Sequence, residues 1–229
     1  MRLLFCMLIC LVQLAAGAAE SWQDVLSRMP LGANVTQLNR TNCVKIMLSA
    51  FQSNDVVKAL IFMPGATDEF YMFRRAKATL TNDSPTLLDA VNALTNQTLI
   101  KATFRPPMLL LHTDEDPLEL LIEIKDPVTV GRLESKRFVP HALYNDRDWD
   151  FLQPILQKKF GIWLLPRSNS RDSFHFYRHS FAAWNLDGWQ ALQAIAFAGK
   201  TKFTVKRRLV VFEGDARILA VPKIDHFPE

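Results

Sequence analysis

Leu186–Phe212 reads LDGWQALQAIAFAGKTKFTVKRRLVVF, and about 101 residues upstream Pro85–Leu111 reads PTLLDAVNALTNQTLIKATFRPPMLLL. The two align without a gap, and each has the same grammar. In the later stretch Asp187 supplies an N-cap, and Gly199 is expected to end the helix in the left-handed region. Trp189, Leu192, Ile195 and Ala196 then share one helical face. In the earlier stretch Ser84 is the expected cap, with Pro85 at the first helical position and Leu88, Val91 and Leu94 on the matching face. After each helix the apolar period changes from 3.6 to 2. Phe203 and Val205 alternate with Lys202, Thr204 and Lys206, as Ala102 and Phe104 alternate with Lys101, Thr103 and Arg105. Arg207-Arg208 and Pro106-Pro107 then turn the chain into apolar strands, Leu209–Phe212 and Met108–Leu111. The unit predicted twice is helix, strand, strand.

Identities between the copies are few: Ala90/Ala191, Ala93/Ala194, Lys101/Lys202 and Thr103/Thr204. The register extends upstream to Phe73/Phe174 and Leu80/Phe181, which favours duplication of a longer segment. The expected class is α+β, in two related halves of about 100 residues, each with helices packed on small mixed sheets. The division read from the pattern is 1–18 as an export signal, 19–125 as the first half, 126–137 as a linker and 138–229 as the second half.

Arg2, the apolar run Leu3–Leu14 and the small residues Ala16-Gly17-Ala18 read as a cleaved leader, so the mature chain is expected to begin near Ala19. That places the protein in a secreted or periplasmic setting. Cys6 and Cys10 leave with the leader and Cys43 stays alone, so no intramolecular disulfide is expected. With 49% apolar and 22% charged residues the chain can bury a large core. Loss of Arg2 with the leader would leave 26 basic against 23 acidic residues, a net charge of +3 that is too mild to mark a nucleic-acid binder. Sequons at Asn34, Asn39, Asn82 and Asn96 would carry sugar only on a eukaryotic secretory route.

Elsewhere the pattern predicts an amphipathic helix in Ala19–Met29 and a second from a Thr41 cap through Gln52. Strands are predicted at Val56–Met63, Glu69–Leu80 and Leu118–Ile124. Asp126–Lys136 reads as loop and Phe138–Leu143 as a short extended stretch. Trp149, Leu152, Leu156 and Phe160 then share a helical face, and strands follow at Ile162–Leu165 and Phe174–Phe181. Ile218–Val221 is a further strand candidate.

Catalytic, cofactor and metal motifs do not emerge. His175 and His179 fall on a predicted strand, where four residues at about 3.3 Å each separate the rings by roughly 13 Å, too far to share a zinc ion. His112 beside Asp114, Glu115 and Asp116 lacks calcium-loop spacing and reads as a turn after a buried strand. Cys43 lies on an apolar helix and reads as a structural thiol. The candidate partner-binding residues are Lys200, Lys202, Lys206, Arg207 and Arg208, with Arg74, Arg75 and Lys77 as a second basic group. Cations on an outer strand also guard against edge-to-edge aggregation.

The segment DGWQALQAIAFAGKTKFTVKRRLVVFEG resembles the small N-terminal domain of secretins and TonB-linked proteins. SPTLLDAVNALTNQTLIKATFRPPMLLLHT resembles it less closely, because Pro-Pro replaces the usual polar or glycine turn. The resemblance covers about 30 residues in each half. It implies a periplasmic module that binds protein partners or self-assembles, without catalysis. The leading expectation is therefore a non-enzymatic envelope protein that binds an envelope partner, or itself, through sheet edges or the basic hairpin. Two alternatives remain open: a secreted hydrolase or metal-dependent enzyme assembled between the halves from His112, Asp114, His175 or His179, and a module for anionic polymers.

Overall fold

The computed structural model describes residues 20–32, 34–39, 41–63, 77–113, 122–124, 126–138, 142–147, 157–159, 161–166, 179–199 and 201–214. The class is α+β. Both quoted stretches form the predicted unit. Helix α3 (Leu87–Gln97) leads into the hairpin β4 (Lys101–Arg105) and β5 (Met108–His112). Helix α5 (Gly188–Ala198) leads into β12 (Thr201–Lys206) and β13 (Leu209–Gly214). In each unit a further strand lies parallel to the second hairpin strand. It is β2 (Ala59–Phe62) on β5, and β9 (Trp163–Pro166) on β13.

Around these units lie two shorter helices in the first half, α1 (Trp22–Leu26) and α2 (Cys43–Ala50). The chain between the hairpins carries β6 (Ile122–Ile124), α4 (Pro127–Glu134), β7 (Arg137–Phe138) and β8 (Ala142–Arg147). Strand β10 (His179–Ala183) precedes β11 (Leu186–Asp187). Two short antiparallel pairs are also formed, β1 (Gln37–Leu38) with β3 (Ala78–Thr79), and β7 with β11.

The five-stranded sheet has the order β4-β5-β2-β10-β8, and the four-stranded sheet the order β6-β12-β13-β9. Both sheets therefore draw strands from either side of residues 126–137. Alternation along the strands sorts the core into two. Leu60, Phe62, Leu109, Leu111 and Ala182 face α1, α2 and α3 on one side of the larger sheet. Ala59, Ile61, Met63, Met108, Leu110 and Phe181 face the other way, onto α5. Helix α5 also takes Phe203, Val205, Val210 and Phe212 from the smaller sheet, so it is the shared filling between two sheets. Eight of its eleven residues are buried, against five of eleven in α3, whose far side is polar. The layers run helices, sheet, helix, sheet.

Several local expectations need correction. The cap of α3 is Thr86 rather than Ser84, because Thr86 and Asp89 close a reciprocal capping box, and Pro85 stays outside the helix. Gly199 has φ −95°, not a left-handed value, and its N–H bonds the Ile195 carbonyl at 2.9 Å as the chain passes directly toward β12. Asn42, not Thr41, is the N-cap residue of α2. Residues 126–137 are not a loop or linker: Asp126 caps α4, Pro127 takes its first turn, and Thr129 and Leu133 are buried. The Asp-Pro start is a strong helix signal, and burial against α5 and β12 supplies the rest. The stretch expected at 138–143 divides between β7 and β8, which belong to different sheets.

Other expectations are met over the described residues. Helix 22–26 carries a Ser21–Asp24 capping box, β9 lies within one residue of its expected bounds, and residues 157–159 are helical. Of the strands expected at 69–80, 118–124 and 174–181, the described parts are β3, β6 and the start of β10. The rest of those strands, the leader, most of the 149–160 helix and 218–221 lie outside the described residues. Among the described residues no helix is long and apolar enough to cross a membrane.

Candidate functional site

The second hairpin presents two different surfaces. Toward α5 it buries Phe203, Val205, Val210 and Phe212, with Phe203 edge-on to Trp189 at 5.4 Å. On the opposite face the register sets residues in rows that cross three strands. Lys206 pairs with Leu209, which pairs with Trp163; Thr204 pairs with Val211, which pairs with Leu165. Paired residues share a face, so a basic and polar column on β12 lies beside an apolar one on β13 and β9. Trp163 is 59% exposed and Leu165 49% exposed. Both stand on β9, which among the described residues pairs only with β13 and is an edge of its sheet.

At the turn end of this sheet, on the side that faces α5, lies a cleft of about 240 Å³. Its floor is formed by Leu133 and Ile162, and its rim by Arg132, Lys136 and Arg208. Three cations thus come from two distant parts of the chain. Arg132 and Lys136 are four residues apart at the end of α4, while Arg208 is in the hairpin turn. Among the described residues neither Arg132 nor Arg208 is ion-paired.

The cleft is held by local chemistry. The Thr129 hydroxyl bridges the Asp126 carboxylate, 2.6 Å away, and the carbonyl of Arg207. Arg207 has φ +51°, a left-handed value costly for a side-chain-bearing residue, and this contact helps to hold it. The Thr129 hydroxyl is also the main reason that the Asp126 carboxyl sits below the usual carboxylate range; nearby amides and the Arg132 charge act in the same direction. Asp126 therefore stays ionised while bound to its own helix. Gly161, with φ +65°, donates its N–H to Gln157 and closes the helical turn before β9. The Trp163 N–H then bonds the Arg208 carbonyl at 2.7 Å, which locks the start of β9 to the basic turn.

The expected partner-binding residues are placed accordingly. Lys202 and Lys206 lie on the outer side of β12, and Arg207 and Arg208 form the exposed turn. Lys200 lies outside the described residues, as do Arg74 and Arg75. Arg132, Lys136, Trp163 and Leu165 were not expected at this surface. The Asp126-Pro127 helix start, with cations four apart, was the available sign for the first two. Nothing in the sequence distinguished Trp163 and Leu165 from buried strand residues.

The residues considered for catalysis do not gather into a described site. His112 is 1% exposed, and its Nε2 is 2.9 Å from the Thr103 hydroxyl across the β4–β5 hairpin. The backbone of His179 lies at the same end of the five-stranded sheet, two strands from His112. Asp114 and His175 lie outside the described residues. Cys43 is buried, and burial pushes its thiol up to about 12, away from the reactive thiolate. The described residues hold no cluster of three or more potential metal ligands. Asn34, Asn82 and Asn96 are exposed.

No family model, curated protein or solved structure matches this chain.

Proposed function

We propose that this is an exported, non-enzymatic binding protein that takes a segment of a partner polypeptide as an added strand along β9. The observation that carries the reading is the pair of large apolar side chains, Trp163 and Leu165, exposed on an edge strand beside a basic turn. An exposed apolar edge is an aggregation hazard unless a partner uses it. Strand addition supplies affinity through main-chain hydrogen bonds and specificity through alternate side chains. Trp163 and Leu165 are two residues apart and supply such an alternate pair. Pro166 lacks an N–H and ends the usable edge.

The leader-like N-terminus and the resemblance of both hairpin units to the secretin and TonB N-terminal domain support an envelope partner or a second copy of this chain. The test uses the full mature chain against an array of random octapeptides. A bound peptide should lose at least tenfold in affinity when Leu165→Asp or Trp163→Ala is introduced, with the far-ultraviolet circular dichroism unchanged. Undiminished binding by both variants would remove β9 as the docking edge.

A further inference from the structure

The strand-addition reading leaves the direction of the added strand and its chemical signature unspecified. Two observations supply them. In the first unit β2 corresponds to β9, because each lies parallel to the second strand of its hairpin. On its other side β2 carries β10, which is antiparallel to it. The corresponding place beside β9 is the edge on which the described residues set no strand. A strand entering there in the orientation of β10 would run opposite to β9 and finish near residues 161–163. The cationic cleft opens at that same end: Gly161 and Ile162 line it together with Arg132, Lys136 and Arg208.

We propose that β9 and the cleft form one composite site for the C-terminal strand of a partner protein, with the partner's terminal carboxylate seated among Arg132, Lys136 and Arg208. The argument rests on the proposed function for the strand and on charge complementarity for its end. Planar guanidinium groups match a carboxylate through paired hydrogen bonds. The apolar floor of Leu133 and Ile162 suits the last side chain of the incoming segment. Asp126, the described acid nearest in sequence to the start of α4, is bonded to Thr129 and to the Val128 N–H, and Glu134 is exposed on α4. Among the described residues Arg132 and Arg208 therefore outnumber Asp126 at the cleft, and an antiparallel strand delivers a negative group to it.

The experiment uses the same octapeptide array synthesised twice, once with free C-terminal carboxylates and once with C-terminal amides, probed with the full mature chain. Free-acid peptides should bind at least tenfold more tightly than their amides. In Arg132→Gln/Arg208→Gln that preference should vanish, while Leu165→Asp should weaken acid and amide forms alike. Equal binding of both forms to the unaltered chain would overturn the carboxylate site and leave strand addition standing. Amides ending in Asp or Glu that bind as well as free acids would overturn the terminal carboxylate in favour of a side chain. Binding of neither form would overturn both readings.

Discussion

Ile61 and Leu165 hold the same place in two units of one chain, yet Ile61 is fully buried and Leu165 is 49% exposed. Each stands on the strand parallel to the closing strand of a hairpin, opposite Leu110 and Val211 respectively. The same comparison holds for Ala59, fully buried, and Trp163, 59% exposed. Local connectivity is shared; what differs is the layer above and the neighbour beside. The first sheet has helices on both faces, and β10 flanks its parallel strand. Among the described residues the second has α5 on one face, leaves Trp163 and Leu165 exposed on the other, and ends at β9. The same local order of elements thus yields a strand buried on both faces in one context and a strand with exposed apolar side chains in the other. The surplus apolar surface of the second is where the proposed partner would gain by docking.

Substitutions at matched positions give the widest separation. Ile61→Asp buries an unpaired carboxylate between two packed layers and is expected to cost about 4 kcal/mol or more, enough to unfold many domains. Leu165→Asp should cost about 1 kcal/mol or less, since the site already meets water. Urea denaturation of both variants checks this, and equal losses would break the comparison.

A smaller effect tests the scaffold of the cleft. Thr129 is 3% exposed, and its hydroxyl reaches both Asp126 and the Arg207 carbonyl. Thr129→Val should cost about 1–2 kcal/mol by leaving those acceptors without that donor. The corresponding melting shift should come with weaker peptide binding, because Arg208 follows directly in the turn.

The capping boxes should show the smallest effects, and similar ones in the two units. Thr86→Ala and Asp187→Ala each remove an N-cap oxygen and should cost about 1 kcal/mol. Acid should affect the first box in a defined direction. Asp89 is held below the usual carboxylate range, chiefly by its hydrogen bond from the Thr86 amide. Its contribution is complete above the unfolded carboxylate pKa and is lost as pH falls through the lower folded value. An Asp89→Asn chain should therefore have a flatter stability curve on the acid side, measured by thermal melts across pH.

The αββ grammar was legible because it is local: capping residues, a change of period and a two-residue turn lie within 27 contiguous positions. The role of α5 as filling between two sheets was legible only in part. Ala191, Ala194 and Ala198 broaden its apolar face, but nothing local says which sheet covers them. Strand exchange across 126–137 depends on pairings such as Phe203 with Ile122 and Ala182 with Leu60, which sequence periodicity does not encode. The site was half visible. Lys206, Arg207 and Arg208 stood out as a basic turn, whereas Trp163 and Leu165 looked like any other buried apolar strand. Apolar composition does not reveal whether a layer lies above it.

Backbone exchange at one matched pair of amides tests the central claim most directly. The Trp163 N–H points to β13, so by strand alternation the Leu164 N–H points to the open edge, while its counterpart in β2, the Leu60 N–H, points to β10. Hydrogen–deuterium exchange on the free chain should find Leu60 protected to the global unfolding limit and Leu164 exchanging fast, with Leu164 slowing when a free-acid peptide binds. Protection of Leu164 as strong as that of Leu60 in the free chain would contradict the account, because the edge would already be filled.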